Sequence, residues 1–153
     1  MVLNFYQKNL SKDVLIFDTK NVLYELDNLL ISKNILETLV KTHDLIIFST
    51  EKKDDVEINL KKFGIEKYFY KIYNFSEIEV FEVLNQTPNK TIKYFSAYVN
   101  GIIEANKLDI ETIGVISANL DQQTMINNFL HIGAKHILTQ KDSIETFLKS
   151  RNA

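Results

Sequence analysis

The chain of 153 residues contains no cysteine, which excludes a disulfide framework, a thiolate nucleophile and any zinc-thiolate centre. Arginine is nearly as scarce. Arg151 is the only one, so almost all positive charge is lysine, and bidentate guanidinium clamps on phosphate or carboxylate are almost unavailable. The formal net charge of -2 supplies no strong positive field, and nucleic acid is not an expected partner. No apolar run approaches the roughly 18 residues a membrane span needs. The N-terminal MVLNFYQKNLSKD also lacks an unbroken apolar core followed by small residues, so no membrane partner and a cytoplasmic location are expected. The single proline, Pro88 in QTPNK, predicts a turn and interrupts no element.

What is present is an ordinary globular composition, 45% apolar and 25% charged, which disfavours disorder and fits one domain over residues 1–153. Short runs rich in Val and Ile alternate with longer amphipathic stretches, the pattern of strands buried on both faces and joined by crossover helices. The strand candidates are Val14 to Asp18, Leu45 to Phe48, Lys71 to Tyr73, Ile92 to Phe95, Thr112 to Ile116 and His136 to Leu138. Helices are predicted from Ser32 to Thr42, Glu51 to Phe63, Ser76 to Asn85, Val99 to Leu108, Asp121 to His131 and Asp142 to Lys149. The expected fold is an α/β, three-layer Rossmann-like domain with about six mainly parallel strands and helices on both faces. Right-handed crossovers bring Asp18 to Asn21, Ser49 to Lys52, Asn74 to Ser76 and Ser96 to Gly101 to one edge of the sheet, where α/β ligand sites form.

At that edge, VLIFDTKNVLYEL resembles the first motif of the haloacid dehalogenase superfamily, an apolar strand ending in an aspartate nucleophile. LIIFSTEKKDDVEINLKKFGIEKYFYKIYNFSE is similar to the second motif and its helix. KTIKYFSAYVNGIIEANKLDIETIGVI and GAKHILTQKDSIETFLKS resemble the later segments, so the likeness covers about residues 13 to 150. It implies Asp18 as the catalytic position and Ser49, with Thr50 as a second candidate, as hydroxyls that orient a phosphoryl group. The departures matter as much. Lys20 stands where phosphatases have a second aspartate, and Ser96, Ala97 and Gly101 stand where Gly, Asp and Asp are expected. No motif-three lysine is found near Asn74 to Ser76. The short spacing between Asp18 and Ser49 implies a capless type.

With these carboxylates missing, no metal site and no cofactor are expected, and Mg2+ enters only if the chain is a divergent phosphohydrolase using Asp18 as nucleophile. Residues i and i+2 of a strand share a face, so Lys20 is expected beside Asp18, its ammonium replacing the cation. The resulting expectation is a catalytically degraded domain that binds a protein partner or a small anionic ligand. A homo-oligomer or another protein is the expected partner, with Tyr70, Tyr73, Phe75 and Tyr98 as the candidate interface. Acidic Glu51, Asp54 and Asp55 are read as favouring the dipole of their helix. His43, His131 and His136 have no metal-ligand spacing.

Overall fold

A computed structural model describes residues 12–77, 90–117, 121–139 and 144–151. Its centre is β1 (Asp13–Phe17), an unbroken apolar run whose residues Val14 to Phe17 are all buried, as a strand covered on both faces must be. β1 pairs in parallel with β4 (His43–Ser49) on one side and β6 (Ile92–Ser96) on the other. β5 (Lys71–Asn74) adds beyond β4, while β7 (Glu111–Val115) and β8 (His136–Leu138) add beyond β6, giving the order β5-β4-β1-β6-β7-β8. The strand order therefore reverses beside β1, and the carboxyl ends of β1 and β6 flank the switch point where ligand clefts of such sheets form.

Helices α1 (Lys33–Leu39), α2 (Lys53–Phe63), α3 (Val99–Lys107), α4 (Gln122–His131) and α5 (Ile144–Arg151) follow the strands. Ser32 caps α1 by accepting from the Ile35 N–H, Asp121 caps α4, and α2 ends at Gly64 in the left-handed conformation, φ 69°. Two apolar cores result, one on each face of the sheet. The first gathers Leu15, Phe17, Ile47, Tyr24, Val56 and Leu60; the second gathers Val14, Ile16, Phe48, Tyr94, Ile102 and Phe129. The expected three-layer architecture and parallel sheet are found, and among the described residues there is no cap domain. The expected helix from Ser76 to Asn85 lies outside the described residues from Ile78 onward, as does Pro88. Among the described residues no helix is long and apolar enough to cross a membrane.

The sequence reading contains no counterpart for β2 (Tyr24–Glu25) and β3 (Asn28–Leu29), an antiparallel hairpin following β1. Its tip carries Leu26 at φ 53°, a left-handed conformation for a leucine that is 84% exposed. Glycine or asparagine normally serves there, which is why no turn is legible in YELDNL. Leu26→Asn is expected to raise stability by about 0.5–1 kcal/mol in urea unfolding, because asparagine tolerates this backbone and little leucine packing is lost. An unchanged or lower midpoint would show that the tip leucine packs on something.

Candidate active site

Asp18 follows the last residue of β1 and is 2% exposed. The Thr19 N–H donates to its Oδ1 at 2.7 Å, and the Ser96 hydroxyl, at the end of β6, donates to its Oδ2 at 3.1 Å. Ser96 is fixed in turn by the Tyr98 N–H, which donates to its Oγ at 2.9 Å. Burial pushes the Asp18 carboxyl up to about 6, against the opposing pull of the Thr19 N–H, the Ser96 hydroxyl and the Thr50 N–H, with the negative charge of Glu51 adding to the rise. Among the described residues no cation adjoins the carboxylate.

A second polar group lies on the other face. Thr19 and Ser49 are fully buried, and their hydroxyl oxygens are 2.6 Å apart. The Thr19 hydroxyl donates to Glu51 Oε1 at 2.7 Å, which leaves the Ser49 hydroxyl to donate to Thr19 while its own oxygen accepts the Glu51 N–H at 2.9 Å. Tyr24, on the hairpin, also donates to Glu51 Oε1 at 2.7 Å, and Asn74 donates to the Glu51 carbonyl at 2.6 Å. Burial, followed by the hydrogen bond to Glu51, raises the Tyr24 phenol well above its ordinary value. The ring is closed, and its only charged member is a carboxylate.

Several expectations change here. Lys20 does not face Asp18: it is exposed and forms no ion pair with it. The cause is the backbone, which leaves the extended conformation at Thr19. The Thr19 carbonyl accepts from Val22 and Leu23 N–H groups at 3.2 and 2.9 Å, and Asn21 turns left-handed at φ 62°, so the alternation that places i and i+2 together ends at Asp18. Ser49 lies at the expected edge, but its hydroxyl is committed inward. Thr50 is exposed and contributes its backbone N–H to Asp18.

The four aromatics expected at an interface do not form one surface. Tyr73 is buried in the second core against Phe48, and Tyr70 immediately precedes β5 at the opposite edge of the sheet, where its N–H donates to the Leu45 carbonyl at 2.7 Å. Of the four, Phe75 and Tyr98 adjoin, edge to face with ring centroids 5.5 Å apart. A cleft of about 490 Å³ opens at that opposite edge, lined by residues including Asp109, Glu111, Lys135 and His136; none of the expected site residues lines it. Its charges are paired, His136 with Glu111 at 3.0 Å and Lys135 with Asp109 at 3.2 Å.

Thr19, Tyr24 and Tyr94 are not singled out by the sequence as site residues, and Glu51 is read there as favouring its helix dipole in preference to a rearranged site. The signal available for Tyr94 was the period of two in IKYFS, which places it on the face of Ser96. Its ring is fully buried, and an ideal Cβ at Gly101 would stand 2.5 Å from its hydroxyl oxygen. Burial, then the neighbouring charge of Asp18, raises the phenol well above its ordinary value. Magnesium needs hard oxygens in near-octahedral array, usually with one or two carboxylates. Asp18 supplies one enclosed carboxylate, Gly101 supplies none, and among the described residues no three His, Cys, Asp or Glu side chains converge. These residues do not fit the ion.

No family model matches the chain, and no curated protein matches it by sequence. Solved structures match its fold. A haloacid dehalogenase-like family hydrolase from Streptococcus pneumoniae is 12% identical with a TM-score of 0.64, the match covering 94% of this chain and 99% of that one. A conserved haloacid dehalogenase-like protein from Agrobacterium tumefaciens is 13% identical with a TM-score of 0.63, covering 93% and 98%. D,D-heptose 1,7-bisphosphate phosphatase from Burkholderia thailandensis is 8% identical with a TM-score of 0.57, covering 93% and 99%. The domain has the haloacid dehalogenase-like fold.

Two predictions follow from this geometry. The folded Asp18 carboxyl, at about 6, lies above its ordinary 3.8, so the folded state holds the proton more tightly. The stability this contributes is complete below pH 3.8 and is lost as pH rises through 6, a difference on the order of 3 kcal/mol between pH 3.5 and 7.5. Asp18→Asn should remove that slope and exceed the wild type in denaturant midpoint at pH 7.5; parallel pH profiles would refute the assignment. Thr19→Val should cost about 2 kcal/mol by orphaning the Ser49 hydroxyl and removing one donor from Glu51. Adding Ser49→Ala should then cost little more, a non-additivity that a double-mutant cycle measures.

Proposed function

We propose that this haloacid dehalogenase-like domain is catalytically silent and acts as a binding module, with a protein partner seated on the edge that carries Asp18. The carrying observation is the enclosure of Asp18. Its oxygens already accept from Thr19 and Ser96, among the described residues no cation stands beside it, and the space toward Gly101 is taken by Tyr94. In-line attack by a carboxylate on a phosphoryl group brings two negative groups together and needs compensating charge. Ser49, the hydroxyl the resemblance assigns to that phosphoryl group, is turned inward.

The chemistry of this edge also separates the two kinds of ligand. Asp18 and Glu51 are both carboxylates, and the charge of Glu51 adds to the cost of ionising Asp18, which disfavours a small anion; a protein surface is the better fit. Around the polar ends, Leu26 on the hairpin is 84% exposed and Tyr98, paired with Phe75, is 37% exposed, the apolar and aromatic character that partner surfaces favour. Glu25 ties the hairpin to Ser117 beyond β7 at 3.3 Å, so the tip overhangs the same edge.

One observation favours a rival, a divergent phosphohydrolase: Asp18 is retained at the strand end although its burial lowers stability near neutral pH. A panel of phosphomonoesters with Mg2+ separates the readings. Wild-type protein and Asp18→Asn are expected to give the same rate as buffer. Turnover that Asp18→Asn abolishes would establish the hydrolase instead.

A further inference from the structure

The loss of carboxylates explains why a cation would bind weakly at Asp18, but the packing behind it says more. Tyr94 projects from β6 on the same face as Ser96 and lies in the second core with Ile16, Ile102 and Ala105. Gly101 is in the first turn of α3, directly over the phenol: an added Cβ would meet the hydroxyl oxygen at 2.5 Å and the ring atoms Cε2 and Cζ at 3.3 Å. A contact of 2.5 Å requires movement, and a fully buried ring has nowhere to move. Glycine at this helical position is otherwise unfavourable, since alanine propagates a helix better. Its presence is explained by the phenol beneath it.

We propose that Tyr94 is a plug: its hydroxyl occupies the space below Gly101, on the face of β6 whose Ser96 donates to Asp18, and so closes this edge to divalent cations and to any longer side chain at position 101. The inference rests on the non-catalytic reading and deepens it, because it names the residue that keeps the site shut. Positions 94 and 101 then form a reciprocal pair. A carboxylate cannot be restored at 101 while the tyrosine stands, and shortening the tyrosine alone leaves Asp18 without a second acidic ligand.

The test is a double-mutant cycle with a metal arm. Gly101→Ala should lower the melting temperature by roughly 5 °C or more in the wild-type background. In the Tyr94→Phe background, where the closest clashing atom is gone, the same change should be near neutral. Equal losses in both backgrounds would overturn the plug. In the second arm, Mn2+ is titrated while amide NMR signals of Thr19, Thr50 and Ser96 are followed for paramagnetic broadening. Tyr94→Val combined with Gly101→Asp should show saturable broadening at a Mn2+ concentration at least tenfold below any effect on the wild type. Should that pair fail to fold, the Gly101→Ala cycle in the two backgrounds alone decides the plug. A folded variant no more responsive than wild type, or wild-type protein broadened at these three amides by stoichiometric Mn2+, would overturn the proposal. Turnover in the phosphomonoester panel would instead overturn the non-catalytic reading, so the two failures are distinguishable.

Discussion

Burying the Asp18 carboxylate between the ends of β1 and β6 is the constraint around which this edge is arranged. A charged group removed from water must be hydrogen-bonded, paired or protonated. Among the described residues no cation pairs with it, so hydrogen bonds and a shifted proton equilibrium carry the load: the Thr19 N–H and Ser96 hydroxyl hold the oxygens, and the carboxyl takes a proton near pH 6. Ser96 is oriented in turn by the Tyr98 N–H, which donates to its oxygen. The end of β6 and the entry to α3 are thus set by what Asp18 requires.

The neighbouring residue organises the opposite layer. Thr19 links Ser49 at the end of β4 to Glu51 in the following turn, and Glu51 holds Tyr24 of the hairpin. Stacking of Tyr24 on Phe63, with centroids 5.4 Å apart, and the ion pair of Asp27 with Lys62 fasten the hairpin along α2. The hairpin thereby closes over the polar ring instead of leaving its hydroxyls to solvent.

Much of the architecture was legible in the sequence, because buried parallel strands such as VLIF and LIIF have no other economical reading and Ser32, Asp121 and Gly64 mark helix ends chemically. The site was legible in position but not in orientation. Asp18 and Ser49 fall at the expected edge, yet the direction of Lys20 depended on Asn21 turning left-handed, an event that no neighbouring glycine announced. Tyr73 was misjudged because aromatic richness says nothing about which face of β5 is covered. The hairpin was missed for a similar reason, since Leu26 occupies a backbone conformation that leucine disfavours. The contact of Tyr94 with Gly101 joins a strand to the next helix, and only packing reveals it.

Asp18 and Thr19 are consecutive in sequence, but their side chains belong to opposite layers of the molecule, one with Ser96 and the other with Ser49 and Glu51. A single peptide unit is therefore a rigid hinge pin between two polar systems. Its plane cannot tilt to improve one set of hydrogen bonds without worsening the other. Substitutions far apart on the two faces should consequently be read as epistatic, and evolutionary drift at this edge is confined to changes that leave that plane where it is.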